Sequence, residues 1–219
     1  MIVPTDNDYL DTKLILKKEK KMNTTLQKLK EWITVEFNQS VLNIYYDTID
    51  NGNGPRLNVI FENYESVNTI RDRIGNYAKE KQQKIKEKLE ELLSNESNDE
   101  ISTENMFVIF SAFNPIARAE ANGKIKDNFL SSLKIKYKQL GIWEINRFGG
   151  ATTIFFYTEK ELEEKSKLPE IALLRNDYLE QLLKYDDFDV IKPEEFNLAF
   201  DSKENFDNNY ESNWYYYYK

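Results

Sequence analysis

The chain has 219 residues, 40% of them hydrophobic, with 30 aromatics, which is enough apolar mass for one large or two small domains and too much for global disorder. Neither histidine nor cysteine occurs, which excludes Ser-His-Asp and Cys-His catalysis, histidine or thiolate metal sites, and disulfides. The net charge of −8 opposes nucleic-acid binding, and no run of 18 apolar residues exists to span a membrane.

Any reaction would fall to carboxylates, Lys, Tyr, Arg or an oxygen-ligated ion, so the composition leans toward binding rather than catalysis and calls for no cofactor. Residues 1–21 suggest a flexible leader. Lys17 to Lys21 follow the short apolar Leu14-Ile15-Leu16, the reverse of a secretory signal, so the chain reads as cytoplasmic. Lys and Glu codons contain only purines, and such a stretch before Met22 resembles a bacterial ribosome-binding site, which makes Met22 a candidate start.

Asn23 or Thr24 can cap a helix with Leu26, Leu29, Ile33 and Phe37 on one face. A hairpin follows, with Leu42, Ile44 and Tyr46 alternating on one strand and Leu57, Val59 and Phe61 on the other, around the turn Asp50-Asn51-Gly52-Asn53-Gly54-Pro55. Val67, Ile70, Ile74, Tyr77, Ile85, Leu89 and Leu92 predict one long helix over 64–93. Met106 to Phe113 is uncharged and predicts a central strand covered on both faces, ended by Asn114-Pro115. A helix over 124–140, capped by Gly141, a second hairpin around Gly149-Gly150, and a helix over 159–185 interrupted at Leu168-Pro169 complete the body. Helix, hairpin, helix therefore occurs twice. The fold class is α+β: a mainly antiparallel sheet of about five strands, two hairpins flanking the central strand 106–113, with helices packed on it. The expected organisation is a leader over 1–21, one domain over 22–185 and an acidic aromatic segment over 186–219.

Phe110-Ser111-Ala112-Phe113-Asn114-Pro115 resembles an uncharacterised bacterial domain family with a hydrophobic strand ending in Ser/Thr-Ala-x-Asn-Pro. In that family an Asn- and Leu-bearing helix follows, then a glycine and a short hairpin. Asn122, Asn128, Leu130, Leu133, Gly141 and Gly149 stand at the corresponding positions over about 105–158. Ala121 replaces the acid expected before the helix asparagine, and the acidic-Pro-Ser segment is missing. The resemblance implies a fold and a candidate surface, not a reaction.

Two places carry candidate binding residues. Asn114, Arg118, Glu120, Asn122 and Lys124 follow the apolar strand as a loop that could orient polar groups toward a nucleotide or other phosphate compound. The last 34 residues hold nine acids against three bases and are dense in aromatics, a composition unlike a disordered tail. Asp186, Asp187, Asp189, Glu194, Glu195, Asp207, Tyr210 and Trp214 could form an acidic-aromatic surface for a basic protein partner, the electrostatic logic of immunity proteins and antitoxins. No metal site emerges: Asp47 with Glu62 lacks the lysine of a nuclease pattern, and Asp187 and Asp189 with Lys192 have the wrong spacing.

Overall fold

The computed structural model describes residues 3–49, 54–72, 74–95 and 101–219, and the chain divides into two compact units, Met1–Ile116 and Ala117–Lys219. The sequence had suggested a single body over 22–185.

The first unit opens with helix α1 (Asn7–Leu16), inside the stretch expected as a leader. Helix α2 (Thr24–Phe37) starts where expected: the Asn23 side chain accepts from the backbone N–H of Thr25 and Leu26, a cap worth about 1 kcal/mol. Strands β1 (Val41–Thr48) and β2 (Pro55–Phe61) form the expected hairpin, with Ile44 opposite Val59 and Asp47 opposite Arg56. Turn residues 50–53 lie outside the described residues. A bulge between Val41 and Asn43 keeps Val41 and Ile44 on the core side while turning Asn43 to the other face.

The single helix expected over 64–93 is instead two, α3 (Tyr64–Thr69) and α4 (Lys79–Ser94). Between them the Asp72 carboxylate accepts from the backbone N–H of Ile74 and Asn76, and Ala78 N–H closes onto the Ile70 carbonyl. A short side chain that bonds its own backbone competes with helix, and here it wins. The helical spacing survives across the break because Ile70 is buried and the Tyr77 ring meets Phe110 edge-on at 5.0 Å.

Strand β3 (Phe107–Ala112) corrects the expectation of a central strand: it lies at the sheet edge, parallel to β2, and β2 is the middle strand. Val108, Phe110 and Ala112 face the core, whereas Phe107 is exposed and Ile109 and Ser111 are half-buried. The run is uncharged on both faces, yet only one of them faces the apolar core. Its outward carbonyls are occupied by side chains, Gln82 donating to Val108 and the Tyr77 hydroxyl to Phe110. Helices α2, α3 and α4 cover one face of this sheet through Leu29, Ile33, Val67, Ile70, Ile85 and Leu89.

Helix α5 (Asn114–Lys124) replaces the loop expected after β3. Pro115 suits a first helical turn, where its missing N–H is no loss, and Ala117, Ala119 and Ala121 favour helix. Helix α6 (Asp127–Lys136) and a 3-10 turn over Lys138–Leu140 take the place of one helix over 124–140, closed as expected by Gly141 at φ 63°. Strands β4 (Glu144–Phe148) and β5 (Ala151–Phe156) form the expected hairpin on Gly149-Gly150. Helices α7 (Glu159–Lys165) and α8 (Pro169–Leu183) are separated at Pro169 as expected.

The segment 186–219 is built into the second unit: strand β6 (Ala199–Ser202) pairs parallel with β5, and helices α9 (Lys203–Tyr210) and α10 (Trp214–Tyr217) follow. Among the described residues there are thus two mixed three-stranded sheets, ordered β1-β2-β3 and β4-β5-β6, rather than one mainly antiparallel sheet of five strands. In each, an antiparallel hairpin is followed by two helices and a strand parallel to the second. A helical crossover is what a parallel pair requires. The repeated helix-hairpin-helix pattern is therefore a repeated sheet topology.

Candidate functional site

In both units the face of the sheet turned away from the main helices carries polar groups closed by a terminal segment. In the first unit α1 does this. Asp8 is 1% exposed; its carboxylate accepts from the Asn58 amide at 2.8 Å and from Tyr9 N–H at 2.8 Å, while Ser111 donates to Asn58 Oδ1 at 2.9 Å. Asn43 donates to Asp11 and to Thr12, both at 3.1 Å, and Tyr9 stacks on Phe113 at 5.1 Å. Burial and the carboxylates of Asp47, Asp11 and Asp8 together raise the Tyr45 hydroxyl pKa, marking this face as electronegative.

Where α1 meets the β3 side of the sheet, a cleft of about 570 Å³ remains open. It runs past the edge strand β3 and is lined by apolar groups, among them Val67, Ile109, Ile116 and the rings of Tyr64 and Tyr77, and by Asp6, Asp8, Asp47, Arg56, Arg71 and Ser111. Arg56 grips Asp47 through two hydrogen bonds, 2.8 and 2.5 Å, and this bond raises the guanidinium pKa further. Arg71 donates to the Gly75 carbonyl and lies over the Tyr77 ring. Asp47, weighed at the outset as half of a metal pair with Glu62, is committed to Arg56.

In the second unit α9 and α10 cover the corresponding face. Phe206 stacks on Trp214 at 4.1 Å, and both meet Trp143 and Phe155. The Tyr217 hydroxyl donates to Asp201 at 2.6 Å and Tyr218 to Asn146 at 2.6 Å; burial raises both tyrosine pKa values, and the Asp201 carboxylate raises that of Tyr217 further. Phe148 stacks on Tyr218 at 4.3 Å beside an apolar groove of about 380 Å³, which Trp214 and the exposed Tyr215 also line.

The candidate partner-binding residues fall into two groups with different neighbours. Asp207 accepts from Lys203 and from Ser212 at 2.7 Å, which lowers its pKa; Tyr210 packs edge-on against Tyr217, and Trp214 belongs to the aromatic cluster just described. The other five follow α8. Asp186 accepts from Val190 N–H at 3.1 Å and Ile191 N–H at 2.8 Å, folding the loop on itself. Arg175 donates to the carbonyls of Pro193 and Phe196, and Ile191 and Phe196 are buried. Between these anchors Asp187, Asp189, Glu194 and Glu195 are exposed, with Asp187 3.7 Å from Lys124.

Of the candidate ligand residues on α5, Asn122 is 1% exposed and holds the second hairpin turn. Its amide donates to the carbonyls of Gly149 and Ala151 at 3.1 and 3.0 Å, and its oxygen accepts from Tyr178 at 2.7 Å and Thr152 at 3.3 Å. Arg118 lays its stem under Gly150, where a Cβ would stand 3.1 Å from it. Glu120 pairs with Lys124 at 3.4 Å, and Asn114 is the first residue of the helix. The unit-one cleft escaped sequence reasoning, because Asp8, Asp47, Arg56 and Ser111 come from four elements with no shared motif. Among the described residues no helix is long and apolar enough to cross a membrane. No protein-family model, no curated protein and no solved structure matches the chain.

Proposed function

We propose that this chain is a non-catalytic binding protein of the antitoxin or immunity kind, acting in the cytoplasm on a basic protein partner. The observation that carries this reading is the anchored loop over 186–195. Asp186, Arg175 and the buried Ile191 fix its backbone while Asp187, Asp189, Glu194 and Glu195 stand exposed. Carboxylates held in place steer a cationic partner and lose little entropy when it docks. The net charge of −8 adds a long-range field of the same sign. The competing reading, a phosphate compound bound along α5, has less support: Asn122, Glu120 and Lys124 already serve the fold.

Deleting 186–219 is not a clean test, since it removes β6, α9 and α10 from the second unit. Neutralising the loop is. The variant Asp187→Asn, Asp189→Asn, Glu194→Gln, Glu195→Gln keeps the anchors Asp186, Arg175 and Ile191 and gives up only the half-exposed Asp187–Lys124 pair. Titrated by calorimetry against a basic protein that the parent captures from a panel of purified cationic proteins, it should bind at least tenfold more weakly than the parent, roughly the loss of one effective charge pair. Equal affinity of parent and variant would remove the loop from the interface, and a parent that binds none of the cationic proteins would refute the reading.

A further inference from the structure

The outer edge of β3 leaves backbone groups without partners. Phe113 N–H donates to the Phe61 carbonyl at 2.9 Å, and Ala112 stands opposite Phe61 in the parallel ladder. In a parallel pair this sets the alternation along the strand: Ile109 and Ser111 bond toward β2, whereas Val108, Phe110 and Ala112 turn their N–H and C=O groups outward. Gln82 serves the Val108 carbonyl, and the Tyr77 hydroxyl serves that of Phe110. Among the described residues nothing accepts from the N–H groups of Phe110 and Ala112, and nothing donates to the Ala112 carbonyl. Both residues are 3% exposed, and backbone groups so placed are nearly always paired.

The cleft of about 570 Å³ opens on these groups, with Ile109, Phe110, Ser111 and Ala112 lining it in succession. Because it runs past the edge, it reaches both faces of the sheet, Val67 on the core side and Ser111 on the side of Asn58. An added strand sends alternate side chains to opposite faces, so it needs space on both. The two unpaired N–H groups lie two residues apart, about 6.6 Å along a parallel strand, and an extended peptide carries acceptors at that spacing. Gln82 and Tyr77 close the edge at Val108 and leave a short open stretch. A second copy offering the same edge would bring its own Gln82, Tyr77 and α4 against it, whereas a lone extended chain meets none of these. The lining holds Asp6, Asp8 and Asp47 against Arg56 and Arg71, near balance, so an uncharged segment meets no strong field.

We propose that this cleft binds an extended, uncharged segment of a partner protein by strand addition to β3 over 110–112. Its carbonyls accept from the N–H groups of Phe110 and Ala112, one of its N–H groups donates to the Ala112 carbonyl, and its apolar side chains rest on Val67 and Tyr64. The contact is separate from the acidic loop and requires no basic partner.

The probe is an acetylated and amidated pentapeptide of alternating valine and threonine, titrated into the isotope-labelled full chain and read by NMR. In the free protein the amides of Phe110 and Ala112 should exchange with solvent at least tenfold faster than those of Ile109 and Ser111, which β2 holds. Saturating peptide should slow both at least tenfold and shift their resonances along with those of Tyr64 and Val67. The same peptide with every N–H methylated should bind at least tenfold more weakly, and Tyr64→Ala should weaken binding a few fold. Ala112→Pro removes an outward donor without touching the ladder to β2, and should weaken binding about tenfold. Where circular dichroism shows that variant to be unfolded, the methylated peptide carries the same test from the ligand's side. Equal exchange of Phe110, Ala112, Ile109 and Ser111 in the free chain would overturn the proposal. So would no binding at millimolar peptide, or equal binding of the methylated peptide. A parent dimer in sedimentation that Ala112→Pro dissociates would give the edge to a second copy and overturn the proposed occupant. The acidic-loop variant should bind the peptide like its parent, so failure of either idea is visible without the other.

Discussion

At the residue scale, Asn122 is 1% exposed and joins three elements, α5, β5 and α8, with four hydrogen bonds. Asn122→Ala removes the side-chain donor to two carbonyls of the hairpin turn and the acceptor of the Tyr178 hydroxyl, which keeps only its bond from Thr152, and should destabilise the second unit by about 2 kcal/mol in urea unfolding. Tyr178 itself is buried, and burial pushes its pKa up to about 12. A phenol whose folded pKa lies above its unfolded value near 10 stabilises the fold below pH 10 and withdraws that stability as pH rises toward 12. Two pH units correspond to about 2–3 kcal/mol, so urea midpoints should fall across this window, and Tyr178→Phe should flatten the fall. Its place after the apolar strand suggested a loop residue turned toward a ligand. The residue identity was legible in the sequence, but its orientation was not, because a buried amide and a ligand-binding amide have the same letter.

At the scale of elements, the sheet faces explain why the two ends of the chain matter. Tyr9 is 1% exposed and stacked on Phe113, so Tyr9→Ala should cost the first unit about 3 kcal/mol, within the range for a lost buried ring, with α1 amides exchanging fastest. A chain beginning at Met22 would lack α1 and leave Asn58 and Asn43 without Asp8, Asp11 and Thr12; hydrogen exchange over β1 and β2 would report it directly. At the other end, Trp214→Ala opens the cluster of Trp143, Phe155 and Phe206 and should cost the second unit about 3 kcal/mol, with loss of near-ultraviolet dichroism. Periodicity found α2, both hairpins, α7 and α8. It joined α3 to α4 because Ile70 and Tyr77 are buried at helical spacing on either side of a turn. It missed α5 because proline after a strand signals both a strand end and a helix start.

For the whole molecule, charge is the property that composition fixes. If the acidic loop captures a basic partner, the association rate should fall about tenfold or more from low to physiological salt, as steering over distances beyond the screening length is lost. Stopped-flow mixing at two ionic strengths would measure it, and a salt-independent rate would mean that the encounter is not steered by charge. Composition also ruled out histidine and thiol chemistry, alternation marked the strands, and the helix-hairpin-helix pattern announced the repeat. These are local properties: each is set by residues within a few positions of one another. The partner of β3, the parallel sense of β2 with β3 and of β5 with β6, and the assembly of Asp6, Asp8, Asp47 and Arg56 around one cleft were decided only by tertiary structure. The reason is physical. An apolar strand buries equally well as an edge or a centre until the helices choose which faces they cover, and carboxylates far apart in sequence share a site only once the chain has folded.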